Sequence, residues 1–205
     1  MLEGMFAFSI YDKKNNIVIL ARDKSGQKPL YLSKNDTSLS FSSELKGLLQ
    51  NSNIKRKLSK ESFIQYLHQG YVSGRKSLLQ DVFKLKAGQY LIYNLSKGDV
   101  TFKNFFDLPL NPDLNNTSKD SNNLFKKFGN LLESSVKDQI YADVPVGILL
   151  SGGLDSSLIT ALASKNNQKI NTFTFINDIN NDDDFEVKNS RNVSNFFSTN
   201  HTEIY

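Results

Sequence analysis

The chain has 205 residues, 39% of them hydrophobic, with a net charge of +4, a pI near 9.1 and a mean hydropathy of −0.40. It contains no cysteine and only two histidines, His68 and His201, which excludes disulfides, thiolate metal sites, a cysteine nucleophile and a histidine-rich metal centre. No apolar run approaches the length of a membrane span and no charged-then-apolar leader is evident. The mild positive charge is spread out, so a cytoplasmic location is expected, with neither a membrane nor a nucleic acid as partner.

The first third reads as strands. Phe6–Tyr11 and Ile17–Ala21 are aromatic and β-branched and flank a polar turn over Asp12–Asn16, which predicts a hairpin. Pro29–Leu32 and Leu39–Ser42 suggest a second antiparallel pair around Asn35-Asp36. Ser43–Leu49 reads as a short helix with its leucines inward. A second helix is predicted over Lys60–Gln69, with Ser59 as N-cap and Phe63, Tyr66 and Leu67 on one face. Gln89–Asn94 and Val100–Phe105 suggest two further strands joined at Lys97-Gly98-Asp99.

Asp107–Asn123 is rich in Asn, Asp, Ser, Thr and Pro and lacks periodicity, so it reads as a linker. Leu124–Tyr141 then carries apolar residues at helical spacing, and Asp120 or Ser121 can cap it. Pro145 ends that segment. Beyond it the order is strand (Val146–Leu150), helix (Asp155–Lys165), strand (Ile170–Ile176), helix (Glu186–Phe197) and a last strand near Thr202–Tyr205. Alternation of this kind implies a parallel sheet. The acidic run Asn177–Asp184 is read as a solvated loop rather than a cation site.

One stretch carries chemistry. Val146–Leu150 is a continuous apolar run, followed by Ser151-Gly152-Gly153-Leu154-Asp155-Ser156-Ser157. Strand, small-residue turn and helix in succession make an anion cradle: glycines admit the ligand to the backbone, and free amides at the helix start face it. It is not a Walker A loop, because no Gly-Lys-Ser/Thr follows at the required spacing. Ser151, Ser156 and Ser157 offer hydroxyl donors to phosphate oxygens. Asp155, itself an anion, makes sense as a ligand to a Mg²⁺ that bridges to phosphate.

The heptapeptide Ser151–Ser157 resembles the pyrophosphate-binding loop of the ATP pyrophosphatases, which cleave ATP between its α and β phosphates. Leu2–Phe8, Arg22–Tyr31 and Phe41–Lys46 resemble the later part of the glutaminase domain of glutamine-hydrolysing asparagine synthetases. Asp143–Ser157, Phe173–Phe175 and Thr199–Glu203 resemble the start of that family's synthetase domain. The resemblance implies an α/β chain with an α+β N-terminal part. Residues 1–108 would be the later part of an N-terminal-nucleophile glutaminase sandwich, 109–122 a linker, and 123–205 the beginning of a parallel-sheet domain like the adenine-nucleotide α-hydrolases.

It also implies a function: ATP adenylates the side-chain carboxylate of aspartate, and glutamine-derived ammonia displaces AMP. Ser151, Gly152, Gly153, Asp155, Ser156 and Ser157 would hold the pyrophosphate part of ATP, with Mg²⁺ at Asp155. Leu150 and Phe175 would contact the adenosine through their backbones. Arg22, Asp23 and Gly26 are read as a salt-bridged loop closing a hairpin.

Several of the family's features are absent: the N-terminal cysteine, the Arg-Gly-Pro-Asp and Asn-Gly-Glu motifs that hold glutamine, and the later Ser-Gly loop that completes the pyrophosphate site. Lys86-Ala87-Gly88 stands where relatives often have Pro-Pro-Gly, and Ser198 stands where glycine is usual. The expectation is therefore an internal piece of such an enzyme, inactive alone, binding MgATP weakly, and prone to aggregate or to need a complementary polypeptide or a second copy. Two other readings fit the same residues: a different adenylating amidotransferase, such as a β-lactam synthetase relative or an amide-forming enzyme of surface-polysaccharide synthesis, or a non-catalytic nucleotide-binding module.

Overall fold

A computed structural model describes residues 2–108, 121–165, 169–176 and 185–205. The chain divides into two compact units, 1–112 and 113–205.

The first unit is built on two antiparallel sheets. One contains β1 (Ala7–Asp12), β2 (Ile17–Arg22), β6 (Gln89–Asn94) and β7 (Val100–Asn104), in the order β1-β2-β6-β7. The other contains β3 (Tyr31–Lys34), β4 (Leu39–Ser42) and β5 (Val82–Lys84), in the order β4-β3-β5. Register sets what each face carries. Leu20 lies opposite Leu91 and Val18 opposite Tyr93, and these side chains meet Leu30, Leu32 and Leu85 in one core. The alternating burial of β6 is the period-2 signature of a strand with one face in that core. The opposite face is apolar as well: Phe8, Ile10, Ile19, Ala21 and Tyr90 line an open groove of about 310 Å³.

The two hairpins arise as the sequence predicts, with boundaries shifted by a residue or two. β5 is the exception. Its three residues are too short to show a period, and they become a strand by pairing with Tyr31–Ser33 of β3. The helix α1 (Leu45–Leu48) buries Leu48. The helix α2 (Lys60–Gln69) has the predicted bounds, and Ser59 Oγ accepts from the Ser62 amide at 3.3 Å. Gly70 ends it in the left-handed conformation at φ 78°, its amide donating to the Tyr66 carbonyl at 2.8 Å. The face holding Phe63, Tyr66 and Leu67 is exposed, however, and Ser62 is the residue α2 buries.

The second unit has a parallel sheet in the order β10-β9-β8, made of β8 (Gly147–Leu149), β9 (Asn171–Phe175) and β10 (Asn200–Ile204). Between the strands run α4 (Leu154–Ser164) and α5 (Phe185–Phe197), and α3 (Ser121–Ile140) precedes them. Val136 of α3, Ala163 of α4 and Ile170 form the small core, with Ile148, Leu132 and Leu162 packed against it. α3 begins at Ser121, so residues 121 and 122 are helical rather than linker. β10 begins at Asn200, two residues earlier than expected, because the Asn200 amide pairs with the Ile170 carbonyl at 2.8 Å. The acidic run 177–184 and residues 109–120 lie outside the described residues. Among the described residues no helix is long and apolar enough to cross a membrane.

Candidate functional site

The carboxyl end of β8 is where the second unit gathers its polar groups. Leu150 is 1% exposed and anchors the strand: its amide donates to the Phe173 carbonyl at 2.8 Å, and its carbonyl accepts from Thr174 Oγ1 at 2.5 Å. The chain then turns through Ser151-Gly152-Gly153. Gly152 has φ +73°, and a Cβ there would lie 2.5 Å from Asn189 Cβ, 2.6 Å from the Ser190 nitrogen and 2.8 Å from the Glu186 carbonyl. Glycine is required twice over, by the torsion and by the approach of α5.

Gly153 is the N-cap of α4, and no side chain caps the helix. The first intrahelical bond runs from the Ser157 amide to the Gly153 carbonyl at 3.0 Å. The amides of Leu154, Asp155 and Ser156 therefore precede the helical ladder and are available to an anion, in the field of the helix dipole. Ser151 Oγ and Ser156 Oγ lie 3.1 Å apart, and Ser156 Oγ donates to the Gly153 carbonyl at 3.2 Å. These are exposed, exchangeable bonds that a phosphate oxygen can replace. Ser157 sits on the same first turn and is half-buried.

Asp155 is exposed in the first turn of α4 and outside every ion pair found among the described residues. No group of three or more His, Cys, Asp or Glu side chains assembles among the described residues. One carboxylate beside an anion cradle fits a hard cation held mostly by phosphate oxygens and water, and does not fit an all-protein metal cage.

Phe175 ends β9 one strand away and is exposed. Leu150 and Phe175 thus sit on neighbouring strands at one rim. Both backbone groups of Leu150 are already engaged with β9, which leaves the second lone pair of its carbonyl for a ligand. A cavity of about 620 Å³ lined by Lys137, Tyr141, Val146, Lys169 and Ile170 opens at the other, amino-terminal end of these strands.

Two pairings between α5, β9 and β10 cannot be read from the sequence, although Thr199–Glu203 is singled out there. Arg191 of α5 donates from Nε to Glu203 Oε1 at 2.5 Å and from Nη2 to Oε2 at 2.9 Å. Those bonds hold the Glu203 carboxyl below its ordinary range, against the opposing effect of burial. His201 Nδ1 and Thr172 Oγ1 are 2.9 Å apart, Thr172 Oγ1 and Thr199 Oγ1 are 2.8 Å apart, and Thr199 Oγ1 donates to Ser194 Oγ at 2.9 Å. His201 is a packed, hydrogen-bonded residue whose pKa burial pushes down.

In the first unit, the loop after β2 corrects one expectation. Arg22 does not close it by a salt bridge to Asp23. Its Nε, Nη1 and Nη2 donate to the carbonyls of Lys28, Leu85 and Gly26 at 2.7, 2.7 and 2.5 Å. Asp23, 1% exposed, accepts from the amides of Ser25, Gln27 and Lys28 at 3.1, 2.9 and 3.0 Å. Burial alone would raise the Asp23 carboxyl, but these amides hold it below the usual value. Both charges serve backbone groups because the turn leaves those groups with no strand partner.

Comparison with known proteins fits this division into two units. Residues 1–106 match the model of the glutamine amidotransferase domain family, and residues 127–205 match the asparagine synthase family. The chain belongs to the asparagine synthetase family. The putative glutamine-hydrolyzing asparagine synthetase 2 of Methanocaldococcus jannaschii is 35% identical over 175 residues, 83% of this chain and 33% of that protein. The glutamine-hydrolyzing asparagine synthetase 1 of Bacillus subtilis is 34% identical over 173 residues, 84% of this chain and 26% of that protein. Asparagine synthetase B of Escherichia coli is 31% identical over 165 residues, 80% of this chain and 24% of that protein. The chain thus spans from 24% to 33% of the length of these asparagine synthetases.

Proposed function

We propose that the second unit binds ATP for an asparagine synthetase reaction. In it, ATP adenylates the aspartate side-chain carboxylate with loss of pyrophosphate, and glutamine-derived ammonia then displaces AMP to give asparagine. The observation that carries this is the uncapped start of α4, where three amides, two serine hydroxyls and the Gly152-Gly153 turn converge at the carboxyl rim of a parallel sheet. On this reading Ser151, Gly152, Gly153, Ser156 and Ser157 hold the pyrophosphate, and Leu150 and Phe175 frame the adenosine. Asp155 would hold a Mg²⁺, and that ion would supply charge neutralisation for the pyrophosphate. The chain's own groups contribute binding and orientation: amides and hydroxyls fix the β and γ phosphates so that the α phosphate faces the incoming carboxylate.

The first unit is proposed as the later part of an N-terminal-nucleophile glutaminase sandwich (residues 1–108), and the second as the start of a fold like the adenine-nucleotide α-hydrolases (residues 123–205). With no cysteine among its 205 residues, the chain supplies no thiolate for glutamine hydrolysis. Its proposed partners are the small-molecule substrates, a complementary polypeptide or a second copy, and its proposed location is the cytoplasm.

Calorimetric titration of the folded chain with MgATP tests the reading. Binding in the millimolar range, about −4 kcal/mol, is expected. Asp155→Asn should weaken MgATP while leaving metal-free AMP unaffected. A folded chain that binds neither ATP nor pyrophosphate would overturn it.

A further inference from the structure

The turn after Leu150 is shaped by its own serine hydrogen bonds and also by a neighbouring helix. Gly152 lies flush against the backbone of α5, at the distances its missing Cβ would have from Glu186, Asn189 and Ser190. The position of α5 therefore sets the position of the loop. Along that helix Val187, Ser190 and Ser194 are buried at spacings of three and four, and the serines allow close approach. The carboxyl-terminal end of α5 is tied down by the Ser194–Thr199 hydrogen bond. Nearer to Gly152, a charged tie comes from Arg191, the residue after Ser190, forked onto Glu203 at the end of β10. Glu203 pairs in register with Thr174, whose hydroxyl bonds the Leu150 carbonyl. A closed circuit results: Leu150 to Thr174, across to Glu203, through Arg191 to α5, and from α5 back to Gly152.

We propose that the Arg191–Glu203 pair is a positioning device for the phosphate loop, fixing α5 at the carboxyl rim so that the Gly152 turn and the amides of Leu154, Asp155 and Ser156 stay oriented toward the anion. Neither residue belongs to the loop itself. The guanidinium is suited to this because two parallel bonds fix an angle as well as a distance, which one ammonium does not. The pair is partly buried, so solvent screens it less than the exposed Lys165–Glu133 pair in the same unit, which is 3.3 Å apart.

This inference rests on the phosphate-loop reading above, and its test separates the two. Arg191→Ala, Arg191→Lys and Glu203→Gln are compared with Lys165→Ala as a control. Two quantities are measured: amide hydrogen exchange across the ligand-free second unit, and affinity for inorganic pyrophosphate with Mg²⁺. Faster exchange concentrated at residues 152–156 is expected in the Arg191 and Glu203 variants, with pyrophosphate affinity down about tenfold. Arg191→Lys should retain more affinity than Arg191→Ala, and Lys165→Ala should change neither quantity. Exchange that rises uniformly over the unit would make the pair merely structural and overturn the inference, as would folded variants with unchanged loop exchange. If the wild-type chain binds no pyrophosphate, the functional reading fails, and the exchange measurement still decides whether the pair positions the loop. Should Arg191→Ala not fold, Arg191→Lys carries the comparison.

Discussion

Asp23 shows how far a single residue can govern a local structure. It is a buried carboxylate held by three backbone amides, while its neighbour Arg22 serves three backbone carbonyls. Asp23→Asn keeps the shape but removes the charge that those amides solvate. A loss of about 1–3 kcal/mol in the stability of the first unit is expected, read from denaturant unfolding. The pH dependence has a definite sign. Because the folded-state pKa is depressed, Asp23 contributes stability above the unfolded carboxylate value of about 3.9, and that contribution is lost as pH falls through the folded value. The wild-type chain should therefore lose stability on acidification more steeply than Asp23→Asn; identical acid profiles would remove Asp23 from this role. The Arg-Asp-Lys-Ser-Gly sequence marked this loop as special. It did not reveal that Arg22 hydrogen-bonds carbonyls and Asp23 hydrogen-bonds amides rather than each other, because which carbonyls and amides a turn leaves unpaired is decided by the strands around it.

At the scale of elements, the predictable parts were those whose signal is local. Ser59 and Gly70 bracket α2 with a cap at each end, and the bounds read from sequence match the structure. The strand–glycine–helix succession around Ser151–Ser157 was equally visible. β5 was not, since three residues take strand form only through their partner β3. Phe63, Tyr66 and Leu67 share one face of α2, as their spacing predicts, and that face is exposed: periodicity names a face but does not supply something to cover it. Ser198 offers a test at this scale. It follows α5 at φ 53°, a left-handed position that favours glycine, and the Thr199 amide closes on the Ser194 carbonyl at 3.0 Å. Ser198→Gly should stabilise the second unit by about 0.5–1 kcal/mol, seen as a higher melting temperature. A destabilised variant would show that the serine side chain contributes more than its backbone strain costs.

For the whole molecule, the dominant physical fact is how much apolar surface faces outward. The β1-β2-β6-β7 sheet is apolar on both faces, the pattern of a strand layer buried on both sides. In the second unit Leu124, Phe125, Phe128 and Leu131 of α3 are all exposed. Surfaces of this kind drive association. Sedimentation or light scattering should show self-association that grows with concentration, and a monodisperse monomer that melts cooperatively would contradict that expectation. The family relationship was legible because its specific segments, Arg22–Tyr31 and Asp143–Ser157, are contiguous in sequence. The Arg191–Glu203 tie was not, since its two members come together only when α5 and β10 pack. The central claim is that the turn after Leu150 and the first amides of α4 receive the phosphates of ATP. Amide hydrogen exchange of the chain with and without MgATP tests it most directly. Protection confined to residues 151–157 and the ends of β8 and β9 is expected, with none at residues 151–157 when adenosine alone is added. Protection elsewhere with none at this loop would contradict it.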